Sequence, residues 1–156
     1  IKLKYRERTE LRPYRVVKTY GNETGHSCAF RQWRANSHCN LIHGYALGFE
    51  ITFESSTLNE QNWVIDFGDL GLLKKYLKET FDHTTVIAQD DPEYETFLML
   101  DNLNLIDLRV IDNVGCEAFA EEVFNFCQLH FEDDRVKVRS VKVFEHGSNS
   151  AVFGNF

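Results

Sequence analysis

The stretch from residue 45 to residue 53 constrains the fold most, because apolar side chains recur there at every second position. The odd-numbered positions are all apolar: Tyr45, Leu47, Phe49, Ile51 and Phe53. Glu50 and Thr52 have the other parity, which is the period of a β-strand with one buried face. Cys39 and His43 come shortly before this strand. We therefore expect both side chains at the mouth of a rigid element, where reactive groups can keep a fixed geometry.

Length and charge restrict the kinds of partner. At 156 residues the chain is most simply one domain with an ordinary core. Lys and Arg number 17 against 24 Asp and Glu, and the net charge of −7 argues against a nucleic-acid backbone as partner. No apolar run is long enough to span a membrane. We expect neither nucleic acid nor membrane among the partners.

The cysteines and the N-terminal residues indicate a cytoplasmic location. There is no Cys-x-x-Cys pair, and we interpret all four cysteines as reduced thiols in a cytosol: Cys28, Cys39, Cys116 and Cys127. The charged opening of the chain is unlike a signal peptide. Residues 1–24 are highly charged, with one plausible strand at 15–20, and are expected to form an N-terminal arm or edge extension of a domain at 25–156.

Periodicity over the rest of the chain predicts the element order β-β-α-α-β-β. The apolar residues 63–67 predict the second strand of a hairpin or β-meander after the strand at 45–53. Two further strands are predicted at 135–145 and 150–153. The apolar parity changes within the first of them, which predicts a β-bulge near Arg139 and Ser140.

The helices are predicted from apolar stripes and end signals. One begins near Asp69 as N-cap and ends before Asp82, and a short one follows Pro92. The strongest helix signal runs from Cys116 to Cys127, where apolar residues recur at i, i+3, i+4, i+7, i+8 and i+11. The expected class is therefore α+β, with two main helices on one face of an antiparallel sheet.

A thiol and an imidazole are the first candidates for chemistry. A free cysteine is mostly protonated at neutral pH, and a nearby imidazole can take its proton, so Cys39 and His83 could form an activated pair with Asp82 orienting the ring. Spacing alone does not bring them together. Asp82 and His83 could equally be solvated groups at a helix end.

Other polar residues leave functional and structural interpretations open. His43 could ligate a metal, with His26 and His38 as the nearest further candidates, but a histidine at the rim of a pocket is the plainer interpretation. Arg31 and Arg34 could meet a phosphate or a ring, although exposed arginines usually do neither. Glu145 shares a strand face with apolar residues and needs a hydrogen-bond partner.

Six segments, taken in order, resemble the family of 6-pyruvoyl- and 6-carboxy-tetrahydropterin synthases. The family motifs are Phe-x-Ala-Ala-His, Cys-x-x-x-His-Gly-His, Asp-Phe-x-x-Leu, Leu-Asp-His, Pro-Thr-Ser-Glu and Val-x-Glu. The corresponding segments are His26-Ser27-Cys28-Ala29-Phe30, Cys39 to Tyr45, Asp66-Phe67-Gly68-Asp69-Leu70, Phe81-Asp82-His83, Val114-Gly115-Cys116-Glu117 and Val143-Phe144-Glu145. The resemblance covers residues of about 26 to 154. It implies a tunnelling fold, in which subunits of a hexamer-like homo-oligomer join their sheets into a barrel and build each active site at a subunit interface.

The resemblance also implies roles for individual residues. The family acts on 7,8-dihydroneopterin triphosphate, and Cys39 would be its general-base thiol, with Asp82 and His83 as a dyad from a neighbouring subunit. Glu145 would accept the N–H groups of the pterin ring. Glu117, Cys116 and Tyr45 would also contact the substrate, as lining of the pterin pocket.

Two of the three positions that bind zinc in the family are altered here. By this alignment they are Phe30, His43 and Tyr45, and only His43 is an imidazole. Phe cannot ligate and Tyr rarely ligates zinc, so we expect the metal to be absent or weakly bound unless His26 or His38 replaces a ligand. Alternatively, the Tyr45 hydroxyl and Arg31 could stabilise charge without a metal.

Three functional hypotheses follow from the resemblance. The first is a divergent pterin lyase or synthase that transfers protons through Cys39, Asp82 and His83. The second is a pterin- or purine-binding protein that has lost catalysis with its zinc site, and the third is a structural assembly module. The product and the pathway, whether biopterin-like, folate-like or the deazaguanine route to queuosine, are left open by the sequence.

Overall fold

The long strand at the centre of the sheet is the one that the alternating pattern predicts. The computed structural model describes residues 12–156, and in this range the strands are β1 Tyr14–Tyr20, β2 His26–Phe30, β3 His43–Ser55, β4 Thr84–Ala88, β5 Leu108–Ile111, β6 Lys137–His146 and β7 Asn149–Gly154. The α-helices of this range are α1 Gly71–Phe81, α2 Tyr94–Asn102 and α3 Cys116–Phe131. Short 3₁₀ turns occur at Asn22–Thr24, His38–Asn40 and Phe67–Leu70.

Strand β3 is paired along both of its edges. One edge pairs with β6, and the other pairs with β1 along its second half and with β2 along its first half, all antiparallel. The sheet order is β5-β4-β2-β3-β6-β7, with β1 beside β3. The strand predicted at 15–20 is therefore an integral strand of this sheet, whereas residues 1–11 of the predicted arm lie outside the described residues.

Three strands were not predicted, namely β2, β4 and β5, and their pairing makes part of the sheet parallel. β4 pairs in parallel with both β2 and β5, so the expectation of a purely antiparallel sheet is wrong. All five residues of β4 are buried, and a strand covered on both faces has no alternating pattern to recognise. The segment that follows β4 is thereby carried to the far end of β2, beside the turn that bears Cys39.

The prediction of a strand at residues 63–67 is also wrong, because this segment forms no strand in the structure. Carbonyls of this region accept hydrogen bonds from the Arg135 guanidinium, with Nη1 2.9 Å from the Thr57 oxygen and Nη2 2.7 Å from the Val64 oxygen. The chain then enters the 3₁₀ turn at Phe67–Leu70, where Asp66, not Asp69, supplies the cap by accepting the Gly68 N–H at 2.8 Å. α1 follows directly.

The predicted bulge is confirmed in β6. Thr52 pairs with Ser140 and the next residue, Phe53, pairs with Val138, so Arg139 is the extra residue. The C-terminal strands are otherwise as predicted, and they pair as a hairpin.

The core lies between the sheet and helices α1 and α3, as the apolar stripes predict. Three fully buried rings form a continuous row, with centroids 5.0 Å apart for Phe49 and Phe81 and 5.2 Å apart for Phe81 and Phe119. Phe30 extends the row, with its ring 5.1 Å from that of Phe119. The core thus reaches directly to the strand ends that carry the candidate site. Among residues 12–156, no helix has the length and apolar character needed to cross a membrane.

Candidate functional site

Strand pairing brings the three positions of the family metal motif together. Phe30 lies directly opposite His43 in the β2–β3 ladder, and Tyr45 lies opposite Cys28. The ring centroids of Phe30, His43 and Tyr45 are 5.5 to 6.0 Å apart in every pairing. We call these three residues the aromatic trio.

Gly44 allows this close approach of the two strands. A Cβ atom at this position would lie 2.8 Å from the Cys28 carbonyl oxygen, which is closer than a side chain tolerates. The glycine between His43 and Tyr45 is therefore required by the backbone of β2. It fixes the spacing of the two side chains that flank it.

The donor chemistry of the aromatic trio does not fit zinc. His43 Nδ1 lies 2.7 Å from the Leu41 carbonyl oxygen, which can only accept, so Nδ1 carries the proton. The lone pair of Nε2 is the one that could ligate a metal. Phe30 has no ligating atom, and a single imidazole with a phenol does not make the three or four ligands that zinc needs. Between residues 12 and 156, no group of three or more His, Cys, Asp or Glu side chains is arranged to hold a metal.

The replacement ligands considered from the sequence lie elsewhere. His26 stands at the opposite end of β2 from Phe30, roughly 13 Å away at the rise of a strand. It is buried with its ring edge-on to Phe49, and its Nδ1 has no hydrogen-bond partner. His38 is exposed in the turn before Cys39. The imidazole nearest to Tyr45 besides His43 is His146, at 5.9 Å between ring centroids, a residue that the sequence analysis did not single out.

A thiol and a carboxylate meet at the end of β6. Glu145 is half-buried beside a break in the β6–β7 register, and Cys116 is buried in the first turn of α3. Burial, followed by the charge of Glu145, raises the pKa of Cys116 to about 12. The thiol is therefore protonated at neutral pH and has a proton to offer to the neighbouring carboxylate. This is the partner that a carboxylate on an apolar strand face needs.

Tyr45 connects this pair to Cys39. The pKa of Tyr45 is raised, first by burial and then by the nearby Glu145, Cys39 and Cys116. These four side chains therefore share one region, which we call the thiol cluster. Glu117 is exposed in the first turn of α3, close enough that its charge also acts on Cys116.

Asp82 and His83 form a pair at the junction of α1 and β4. His83 Nδ1 lies 2.8 Å from Asp82 Oδ1, and the same oxygen accepts the Ser27 N–H at 3.3 Å. Burial would raise the pKa of Asp82, but the hydrogen bonds from His83 and Ser27 and the charges of His83 and His26 outweigh it and lower that pKa. His83 has a left-handed backbone, with φ of 56°, and its side chain is 84 % exposed. Such strain in a residue other than glycine persists only where the surroundings enforce it.

Within one chain, this pair lies far from Cys39. The parallel register pairs Thr84 with Cys28, so His83 stands beside the start of β2. Cys39 lies beyond the end of β2, where its carbonyl accepts the Gln32 N–H at 2.9 Å. The rise of the intervening backbone separates the two positions along β2 by roughly 16 Å. One protomer therefore holds the thiol cluster at one end of β2 and the Asp82–His83 pair at the other.

The two arginines near the site are both held by carboxylates. Arg31 pairs with Asp91 at 2.6 Å, and Arg34 pairs with Asp90 at 2.5 Å while stacking over Trp33. These pairs are not visible in the sequence, because their acidic partners lie on the segment that follows β4, a strand without an alternating pattern.

Sequence comparisons find relatives that are named as tetrahydropterin synthases. A relative from Aquifex aeolicus, named 6-carboxy-5,6,7,8-tetrahydropterin synthase, is 26% identical over 161 residues, covering 90% of this chain and 97% of the relative. A Rickettsia conorii protein of the same name is 38% identical over 56 residues, covering 35% of this chain and 41% of the relative.

Solved structures share the fold. An uncharacterised protein from Wolinella succinogenes superposes with a TM-score of 0.81 at 21% identity, covering 92% of this chain and 99% of the other. The 6-pyruvoyl tetrahydropterin synthase of Plasmodium vivax superposes with a TM-score of 0.64 at 16% identity, covering 91% of this chain and 97% of the other. The expected tunnelling fold is thus confirmed at the level of the single chain. The family model for 6-pyruvoyl tetrahydropterin synthase matches residues 21–155, and this chain belongs to that family.

Proposed function

We propose that this protein is a pterin-processing lyase of the 6-carboxy-tetrahydropterin synthase type, acting on 7,8-dihydroneopterin triphosphate or a related pterin. The observation that carries the proposal is the thiol cluster, in which the Glu145 carboxylate lies near the buried Cys116 thiol and the half-buried Cys39 thiol. The name of the Aquifex aeolicus relative, which matches nearly end to end, supports the reaction type.

Glu145 is the proposed anchor for the ring. The pyrimidine edge of a pterin presents an amino group and a ring N–H side by side, and an ionised carboxylate can accept from both. Cys116 lies beside Glu145 on the buried side and is protonated, since its pKa is raised to about 12, so we propose that its thiol supports the carboxylate by donating to it. Glu117 lies at the rim of the same region.

Cys39 is the proposed proton acceptor. Its thiolate would take a proton from the side chain of the bound pterin, and His83 would carry the proton onward. Asp82 is ionised at neutral pH because its pKa is lowered, so it can hold the ring of His83 and stabilise the imidazolium form. Since His83 and Cys39 lie at opposite ends of β2, the His83 that serves a given Cys39 comes from a neighbouring copy in a hexamer-like homo-oligomer.

Zinc has no place in this proposal. The family uses the metal as a Lewis acid, but the aromatic trio offers one imidazole, and we propose that any binding of zinc is weak or absent. The Tyr45 hydroxyl lies in the same region and can donate a hydrogen bond to a developing oxyanion. We also propose a cytoplasmic location, in keeping with four cysteines that are all unpaired.

The test is turnover by the purified protein. We expect chromatography to show loss of 7,8-dihydroneopterin triphosphate and the appearance of a new pterin. Cys39→Ala should abolish turnover, and Glu145→Gln should raise KM strongly because the ring loses its charged acceptor. An inactive wild-type protein, or a Cys39→Ala variant with full activity, contradicts the proposal.

A second candidate is a protein that binds a pterin or purine without converting it. The aromatic trio favours it, because Phe30 and Tyr45 replace two ligands of the metal on which the family chemistry depends. Calorimetry with a dihydropterin and with guanine distinguishes the candidates. Binding that is lost in Glu145→Gln, without turnover in the wild-type protein, establishes the second function in place of the first.

A further inference from the structure

Arg31 forms a bidentate ion pair with the fully buried carboxylate of Asp91. Its Nε lies 2.9 Å from Asp91 Oδ2 and its Nη2 lies 2.6 Å from Asp91 Oδ1. The Asp91 side chain has no exposed surface, and that of Arg31 is only 15 % exposed. Asp91 also accepts the Glu93 N–H at 2.8 Å. The guanidinium plane is therefore fixed in both position and orientation.

The remaining nitrogen of Arg31 points to the turn that carries Cys39. Nη1 lies 3.4 Å from Asn40 Oδ1 and 3.5 Å from the Asn40 carbonyl oxygen. The Asn40 amide in turn donates to the Trp33 carbonyl at 2.8 Å. Asn40, the residue next to Cys39, therefore contacts both the buried ion pair and the backbone of Trp33, which precedes the turn.

Arg31 is the one charged side chain that the described part of the chain aims at this turn, and it adds to the local hydrogen bonds of Asn40 with the Trp33 and Ala35 carbonyls. The remaining contacts that the structure gives Cys39 are backbone hydrogen bonds, in which its N–H donates to Ser37 Oγ at 3.3 Å and its carbonyl accepts from Gln32. The turn itself is a single 3₁₀ segment, which is too short to be stable by itself. A buried Asp91 without its partner would be an uncompensated charge, so the ion pair is not free to open.

We propose that Arg31 and Asp91 are positioning residues, which hold the Cys39 thiol in place through Asn40. The role in catalysis rests on the proposed function. The mechanical role does not, because it is defined by the position of the thiol and can be measured in a protein without turnover.

Thiol alkylation reads out this position directly. Cys39 is the only cysteine that is not buried, since Cys28, Cys116 and Cys127 are all enclosed. Iodoacetamide on the native full-length chain should therefore label Cys39 first, as peptide mass spectrometry would verify. Asn40→Ala removes the side-chain bonds of Asn40 to Arg31 and to the Trp33 and Ala35 carbonyls but leaves the buried pair intact. We expect it to speed this labelling about fivefold, the effect of losing about 1 kcal/mol of hydrogen bonding, and Arg31→Lys then separates the contribution of Arg31.

Arg31→Lys tests the anchor itself. A lysine keeps the charge but cannot bridge two carboxylate oxygens and Asn40 together, so labelling should again accelerate. Arg34→Gln is the matched control, because it removes the neighbouring ion pair, whose side chains are 63 % and 46 % exposed, and should leave the rate unchanged. In an active protein, Asn40→Ala and Arg31→Lys should lower kcat and leave KM nearly constant, since Glu145 is untouched.

The outcomes decide between positioning and mere stability. Folded Asn40→Ala with the wild-type labelling rate overturns the proposal, whether or not Arg31→Lys folds. Accelerated labelling with unchanged kcat overturns the role in catalysis. If the wild-type protein has no turnover, the proposed function fails by itself, and the labelling rates still decide whether the anchor holds the turn.

Discussion

Asp82 Oδ1 lies 2.8 Å from His83 Nδ1 and accepts the Ser27 N–H at 3.3 Å, so one oxygen atom links the imidazole to the beginning of strand β2. We expect Asp82→Asn to lower kcat about 10²-fold, because an amide cannot stabilise a protonated imidazole. Steady-state kinetics on the pterin substrate would measure the loss. Glu79→Gln is the control. Glu79 lies in α1, just before Asp82, with an exposed carboxylate, and its substitution should keep full activity.

The separation of the two halves of the site predicts complementation. His83→Ala and Cys39→Ala should each be inactive, but oligomers formed after unfolding and refolding the two together should regain activity. Recovery of roughly a quarter of the wild-type rate is expected, because each shared site then draws on two chains at random. Mixed oligomers of wild-type size that stay inactive would contradict a site shared between copies.

The aromatic trio predicts a gain of metal binding by substitution. The wild-type protein should contain well under one zinc per chain by elemental analysis. Phe30→His combined with Tyr45→His adds two imidazoles around His43 and should raise the content toward one.

Phe30→His alone and Tyr45→Phe are the controls for this substitution and should bind no more zinc than the wild-type protein. Stoichiometric zinc in the wild-type protein would instead mean that other side chains provide the ligands.

Phe119 is expected to dominate the stability of the region below the site. It is fully buried, and its ring lies 5.1 Å from Phe30 and 5.2 Å from Phe81. Phe119→Ala should lower the free energy of unfolding by about 3–5 kcal/mol in a urea titration, because it leaves a cavity between sheet and helices. Leu129→Ala, at a 79 % exposed position of the same helix, should change it little. Equal effects of the two substitutions would refute this account of the core.

Asp91 should make stability depend on pH in acid. Burial alone would raise the pKa of Asp91, but the hydrogen bonds from Arg31 and from the Glu93 N–H lower it overall. A carboxyl group with a lowered pKa stabilises the fold above its unfolded pKa of about 3.9, and this stabilisation is lost as the pH falls through the folded value. Asp91→Asn should therefore be less stable than the wild-type protein at pH 7, by about 1–3 kcal/mol.

The difference between Asp91→Asn and the wild-type protein should shrink below about pH 4, as unfolding curves between pH 3 and pH 8 would show. Asp90→Asn, at the exposed neighbouring carboxylate, should show a much weaker pH dependence of the same sign, because the hydrogen bonds from Trp33 and Arg34 also lower the pKa of Asp90 but solvent screens an exposed pair. A constant difference down to pH 3 would mean that the charge of Asp91 does not contribute.

The elements with one buried face could be predicted from the sequence. β3 and α3 each alternate between core and solvent, so the periods of a strand and a helix are visible in their residues. β4 is buried on both faces and carries no such signal, and the four residues of β5 are too few to show one. The apolar residues 63–67 resembled a strand, but their backbone is held by Arg135, a contact that no local pattern reveals.

The same limit applies to the candidate site. The order of the motifs predicted that Phe30, His43 and Tyr45 occupy the three zinc-binding positions of the family and therefore lie close together. The antiparallel pairing of β2 and β3 brings them together. The Arg31–Asp91 pair could not be predicted, because it depends on the parallel pairing of β4 with β2. The catalytic assignments for Cys39, Asp82, His83 and Glu145 stay predictions until turnover is measured.

The close contact of Gly44 with the Cys28 carbonyl means that backbone pairing alone keeps positions 30, 43 and 45 together. In small zinc domains the ion supplies the folding energy, and the domain unfolds when it is removed. Here the scaffold is independent of what the three side chains bind. A substitution at position 43 or 45 can therefore change what the pocket binds without disturbing the pairing that places it, whereas Phe30 also packs on Phe119 in the core.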